Sequence, residues 1–218
     1  MAKKIRVGLV GVGGMGGCHF YNYEKIENAE LVAVASRTKE NAEKFGDEFN
    51  IPNRFDSYEK MALSDIIDAA YIAVPHSGHI TCSCLMMNNG KHVICEKPIT
   101  VTAKEFKELC HLANEKNLVY FEAIMYMHSP ARRVLKEIVL TLGNIRSASF
   151  DFSQLSSKYE ALKKGELPNI FNPELKTGAL NDLGIYCVYP VIDLFGEPIK
   201  ITPCQHFLST GADGCGSA

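Results

Sequence analysis

An apolar run, Ile5-Arg6-Val7-Gly8-Leu9-Val10, opens directly into Gly11-Val12-Gly13-Gly14-Met15-Gly16. Few features narrow a fold as sharply. The run reads as a buried strand, and the six residues after it match G-x-G-x-x-G. Gly11 allows the tight turn out of the strand. Gly13 lets a pyrophosphate approach the backbone, and Gly16 lets the next helix pack closely. That helix, expected over about residues 16–26, offers free N–H groups and the positive end of its dipole to phosphate. Elsewhere the pattern is only a glycine turn; within a βαβ unit it marks a dinucleotide site.

The residues that follow supply such a unit. Strands are expected over 30–35, 69–74, 92–95 and 118–121. Helical spacing falls between them, over 39–49, 78–88 and 102–114. Thr102 and Glu105 have the spacing of a capping box at the start of the last helix. Strands alternating with helices give a doubly wound parallel sheet with right-handed crossovers, an α/β fold of Rossmann type. After Glu122 the rhythm changes. A helix is expected over 131–142, a half-buried strand over 145–153 and a polar loop with a short helix over 156–173. A long apolar helix over 180–195 and a strand over 199–208 follow, then a glycine-rich tail. The chain therefore divides into a dinucleotide-binding domain, 1–122, and a second domain, 123–218.

The end of the second strand bears on the choice of cofactor. An NAD site usually places Asp or Glu there, on the ribose hydroxyls. Here Ser36 and Arg37 stand at that point, with Lys39 close behind. A hydroxyl, a guanidinium and an ammonium suit a 2′-phosphate, so NADP is expected, with NAD as the alternative. A second constellation, Glu96-Lys97-Pro98, follows the strand ending at Cys95. Ligands of such sheets sit outside the carboxyl ends of the strands. Lys97 is thus expected where nicotinamide and substrate meet, on a turn stiffened by Pro98. Glu96 and Lys97 are both expected to help bind the cofactor there, the plainer reading of Glu96 being a surface ion pair.

Composition narrows the partners. A net charge of -2 gives no electrostatic reason to expect nucleic acid or an anionic membrane. No apolar run is long enough to span a membrane. The eight cysteines form no C-x-x-C pair, so no metal site is expected. They read as reduced, mostly buried thiols of a cytoplasmic protein.

Taken together, the glycine loop, Ala73-Val74-Pro75-His76-Ser77-Gly78-His79, Glu96-Lys97-Pro98 and Thr177-Gly178-Ala179-Leu180-Asn181-Asp182-Leu183-Gly184-Ile185-Tyr186 resemble the Gfo/Idh/MocA oxidoreductases. Ser36-Arg37, Glu122-Ala123 and Leu183-Gly184-Ile185-Tyr186-Cys187 look most like the dimeric dihydrodiol and xylose dehydrogenase branch. The resemblance runs from about residue 4 to the end. It implies a second, α+β domain with a mostly antiparallel sheet, commonly the interface of a homo-oligomer. That sheet is expected to be incomplete at Ala218, in a shortened chain or one whose sheet edge pairs with another chain.

The resemblance also implies roles. Lys97 matches the family's active-site lysine, and Asp182 and Tyr186 match two polar positions facing the substrate. Pro75 and His79 match the strand-end motif beside the nicotinamide. His76 stands where Asn is frequent, and no role is assigned to it. Hydride transfer from a carbinol needs a group to take the hydroxyl proton. Tyr186 is that candidate, because an ammonium beside a phenol favours the phenolate. Asp182, four residues earlier, shares its helix face. The bland alternative is a helix-start charge and a core aromatic. The expected activity is hydride exchange between NADP and a hydroxyl or carbonyl of a sugar, polyol or cyclic diol. A non-catalytic nucleotide sensor and a reductase of an imine or biliverdin-like molecule are the competing readings.

Overall fold

The computed structural model describes residues 4–13 and 25–218. Gly14, Met15, Gly16 and nearly all of the helix expected after them lie outside the described residues. The chain divides into two units, Met1–Ala123 and Ile124–Ala218.

The first unit is built on six parallel strands: β1 (Ile5–Val10), β2 (Ala29–Ala35), β3 (Asn53–Phe55), β4 (Ala69–Ile72), β5 (His92–Glu96) and β6 (Tyr120–Ala123). Their order, β3-β2-β1-β4-β5-β6, is that of the doubly wound dinucleotide fold. Such a sheet is covered on both faces, so its strands read as near-continuous apolar runs. On one face Val7, Leu9, Val34 and Tyr71 pack with Phe45 and Phe49, at and just after α1 (Lys39–Glu48). On the other, Val10, Ala35, Ile72, Val93 and Cys95 meet Met61, Met86, Met87 and Leu109. These last four come from α2 (Tyr58–Ala62), α3 (His79–Asn88) and α4 (Ala103–Glu115). Leu9, Ile72, Met86 and Met87 are wholly buried, each stabilising by roughly 1.5–3 kcal/mol.

The helix starts are chemically specified. Thr38 caps α1 by accepting from the Asn41 N–H, and the Thr102–Glu105 capping box is reciprocal. The short strand β3 was not legible in the sequence. Asn53-Arg54-Phe55 has no apolar run, and its pairing with Ala33, Val34 and Ala35 makes it a strand. The Asn53 side-chain amide adds a 2.8 Å hydrogen bond to the Val32 carbonyl.

The second unit contains α5 (Met125–His128), α6 (Pro130–Thr141), α7 (Tyr159–Lys163) and α8 (Ile185–Phe195), the last entered through a π turn, Leu180–Gly184. An antiparallel hairpin, β7 (Cys204–Phe207) with β8 (Asp213–Ser217), closes it. Asp193 of α8 ties the helices together. It accepts from Arg132 through both carboxylate oxygens at 2.6 and 2.8 Å, from Lys136 at 2.7 Å and from the Tyr126 hydroxyl at 3.0 Å. Two expectations fail here. Residues 145–153 form no strand. Their alternation is real: Phe150 and Phe152 sit edge-on to Phe195 and Tyr186 of α8. Among the described residues no backbone pairs with them, and a strand requires a ladder partner. The strand expected over 199–208 is confined to Cys204–Phe207, and the glycine-rich tail supplies its partner. Among the described residues no helix is long and apolar enough to cross a membrane.

Candidate active site

The carboxyl ends of β1, β2, β4 and β5 carry most of the expected site residues. Gly11 leaves β1 at φ +98°, and its N–H donates to the Ala35 carbonyl at 3.0 Å. A Cβ there would meet the Ala73 carbonyl oxygen at 2.6 Å, so conformation and space both demand glycine. The position lies between β1 and β4, the switch point at which such sheets bind ligands. Val12 is half-buried. Gly13 is exposed, and among the described residues a Cβ on it would touch nothing within 4 Å. Open space on that side is what a phosphate approaching the backbone requires.

At the end of β2, Ser36 is buried, its N–H bonded to the Phe55 carbonyl at 3.1 Å. Its hydroxyl accepts from the Thr38 N–H at 3.4 Å, shaping the turn into α1. Arg37 and Lys39 project into solvent, and the first carboxylate after β2 is Glu40, in the first turn of α1.

At the ends of β4 and β5 the side chains interlock. Pro75 leads into a 3-10 turn, His76–Gly78, and His79 opens α3. The His79 ring is 1% exposed, with Nδ1 2.8 Å from the Pro98 carbonyl and Nε2 3.0 Å from the Val74 carbonyl. Both nitrogens face backbone carbonyls, so the neutral ring donates to one of the two strand-end turns at a time and presents neither nitrogen to a ligand. Burial pushes its pKa below the usual imidazole value, against the pull of the two carbonyls.

Glu96 is not the surface ion pair the sequence allowed. It is buried, accepting from the Tyr71 hydroxyl at 2.8 Å and from the Lys97 N–H at 3.2 Å. Lys97 follows, half-buried, before a cis peptide to Pro98. Glu122 of β6 accepts from the Ile99 N–H at 2.7 Å, fixing the far side of the same turn. Burial and the nearby Glu96 push the Glu122 carboxyl above its ordinary value. Lys97 thus leaves a turn held by His79 at Pro98, by Glu96 at its own N–H and by Glu122 at Ile99.

In the second unit, Asp182 lies in the π turn and Tyr186 in the first turn of α8, both half-buried. The Tyr186 ring meets Phe152 edge-on at 5.5 Å. Pro190 lies inside α8 and lacks the N–H that would reach the Tyr186 carbonyl four residues back. A π turn adds a residue to the helical repeat and often marks a functional position.

Residues 5–124 match the family described as GFO_IDH_MocA, an oxidoreductase family with an NAD-binding Rossmann fold. The chain is a member of the Gfo/Idh/MocA family. It is 37% identical to the scyllo-inositol 2-dehydrogenase (NADP(+)) IolU of Bacillus subtilis, over 98% of this chain and 65% of that protein. It is 35% identical to the trans-1,2-dihydrobenzene-1,2-diol dehydrogenase of Mus musculus, over 84% of this chain and 54% of that one. The chain therefore spans only part of the length of these curated relatives. Among solved structures, the 3-ketoreductase KijD10 of Actinomadura kijaniata, in complex with NADP and TDP-benzene, superposes with a TM-score of 0.76. Identity is 26%, covering 89% of this chain and 58% of that one.

For this Gfo/Idh/MocA chain, sequence reasoning missed three supporting groups. Tyr71 was assigned only to a buried strand, although a Tyr in such a run needs a partner for its hydroxyl. Glu122 was noted within a motif, without a role. Asp213 lies in the glycine-rich tail, where no local pattern marks it, and its contact to the start of the π turn spans 33 residues of sequence.

Proposed function

We propose that this protein exchanges a hydride between NADP and a hydroxyl or carbonyl group of a sugar, polyol or cyclic diol. The observation that carries the reading is the strand-end arrangement of the first unit. Gly11 is wedged where only glycine fits, Gly13 is open among the described residues, and a lysine stands on a braced turn two strands away. The dinucleotide supplies the hydride acceptor or donor when bound. The N-terminal glycines admit its pyrophosphate, and Ser36, Arg37 and Lys39 favour a 2′-phosphate. Pro75 shapes the edge of the nicotinamide site, and Glu96 acts on it through the backbone N–H of Lys97.

In oxidation, Tyr186 takes the hydroxyl proton from the substrate. Lys97 supplies the positive charge that steadies the oxygen while the proton leaves. Asp182 orients the substrate through a hydroxyl. The names of the relatives support the substrate class: an inositol and a dihydrodiol carry ring-borne CH–OH groups, and a 3-ketoreductase acts on a C=O group. A homo-oligomer formed through the second unit's sheet is part of the same reading.

The test combines titration with turnover. NADP and NAD are titrated separately, and NADPH formation is followed across a panel of inositols, sugars and cyclic diols. Tyr186→Phe and Lys97→Met are each expected to lower kcat by roughly 100-fold to 10,000-fold while leaving NADP bound. Unchanged turnover in both variants removes the assigned roles. Tighter binding of NAD than of NADP removes the cofactor preference.

A further inference from the structure

The helix that carries Asp182 and Tyr186 begins without a local cap. Ala179, at the N-cap of the π turn, has no side chain able to accept a hydrogen bond, and the first N–H groups of a helix need acceptors. One is supplied from far along the chain. Asp213, at the start of β8, accepts from the Leu180 N–H through Oδ2 at 2.8 Å. Gly178 makes room for it. Its φ is +133°, and a Cβ added there would sit on the Asp213 carboxylate. The two residues are therefore a matched pair: one supplies the acceptor, and the other leaves the space it occupies. A carboxylate at this end of a helix also complements the helix dipole.

Elsewhere the helix start is held by the Asp182 N–H on the Gly178 carbonyl at 3.0 Å and by the Asn181 side-chain amide on the Lys176 carbonyl at 2.9 Å, and neither serves the Leu180 N–H. The π turn is wound more loosely than an α-turn, and Pro190 withholds the N–H that would reach the Tyr186 carbonyl. The backbone from which Asp182 and Tyr186 project is thus fixed in part by the anchor from β8, which β7 holds in turn through the pairing of Phe207 with Asp213.

We propose that Asp213 is a positioning residue for Asp182 and Tyr186, fixing the start of their helix from the β7–β8 hairpin, with Gly178 as its required partner. The catalytic half of this inference rests on the function proposed above. Asp213 touches neither substrate nor cofactor and acts through the Leu180 amide.

The experiment compares Asp213→Ala, Asp213→Asn and Gly178→Ala with the parent chain. Amide hydrogen exchange of residues 179–186 is the first readout, and kcat, KM and the Kd for NADP are the second. Asp213→Ala is expected to speed exchange in that segment about tenfold, the loss of one hydrogen bond to a charged acceptor. The kcat is expected to fall roughly tenfold to a hundredfold, as a displaced catalytic group produces, while Kd for NADP stays unchanged. Asp213→Asn keeps an acceptor oxygen and restores most of both. Gly178→Ala, which expels the carboxylate, reproduces Asp213→Ala. Unchanged exchange in Asp213→Ala, or an Asp213→Asn variant as impaired as the alanine, overturns the proposal. If the parent turns over no sugar, polyol or diol, the function proposed above fails, and exchange alone decides the role of Asp213.

Discussion

His79→Leu is expected to cost about 2 kcal/mol of stability, within the ~1–3 kcal/mol of a buried polar group left unpaired. The ring is 1% exposed, and its two nitrogens lie 2.8 and 3.0 Å from the Pro98 and Val74 carbonyls. Leucine has similar bulk, so the loss is chiefly of hydrogen bonding and only slightly of packing. A neutral imidazole has one N–H to give, so one carbonyl at a time loses its donor. For a chain of this length each kcal/mol moves Tm by roughly 2–4 °C, so a fall of about 4–8 °C is expected.

The pH dependence has a definite sign. Burial holds the folded His79 below its ordinary value, so the unfolded chain takes up the proton first as pH falls. The contribution of His79 is therefore present above about pH 6.5 and lost on acidification. Urea titrations followed by far-UV circular dichroism, at about pH 7.5 and about pH 5, should show the gap between parent and variant narrowing. A gap below ~0.5 kcal/mol at neutral pH refutes the accounting. A gap that widens in acid shows instead an imidazolium donating to both carbonyls.

Gly11→Ala forces a Cβ against the Ala73 carbonyl at φ +98°. It should weaken NADP binding by tenfold or more, since strain of ~1–2 kcal/mol falls where the backbone meets phosphate. The chain has no tryptophan, so the fluorescence of bound NADPH, displaced by NADP, reads this without protein background from indole; undiminished binding contradicts it. Arg37→Ala should weaken NADP about 10-fold to 100-fold, the loss of charge-assisted hydrogen bonds worth ~1.5–3 kcal/mol. NAD affinity should stay within about threefold; a parallel loss for both cofactors shows that Arg37 does not read the 2′-phosphate. Asp193→Ala leaves Arg132 and Lys136 without the carboxylate they share and should lower the Tm of the second unit at neutral pH. Arg132 holds the Asp193 carboxyl well below the usual range. Its contribution is therefore full above about pH 4 and lost only as pH falls through the lower folded value. A Tm difference that grows in acid contradicts this.

Much of the first unit was legible because its signals are local. The glycine turn, the apolar strands and the Thr102–Glu105 box each depend on residues within a few positions of one another. The strand over 145–153 failed for the opposite reason. Phe150 and Phe152 alternate as strand residues do, but alternation reports which side faces a neighbour, and the neighbour is a helix. β3 failed because three residues carry no period, and only the edge of β2 recruits them. Glu96 was placed correctly along the chain. The direction of its side chain, inward to Tyr71, was set by a strand lying 25 residues earlier.

The order of amino acids alone determined a parallel α/β sheet opened by a glycine turn, with a lysine after the strand that ends at Glu96. Periodicity and glycine's backbone freedom act over a few residues and leave their mark in the text of the chain. Tertiary structure decided what braces that lysine and what starts the helix bearing Tyr186. His79 reaches Pro98, Glu122 reaches Ile99 and Asp213 reaches Leu180 only once distant segments have packed, and hydrogen bonds of that kind leave no spacing to read.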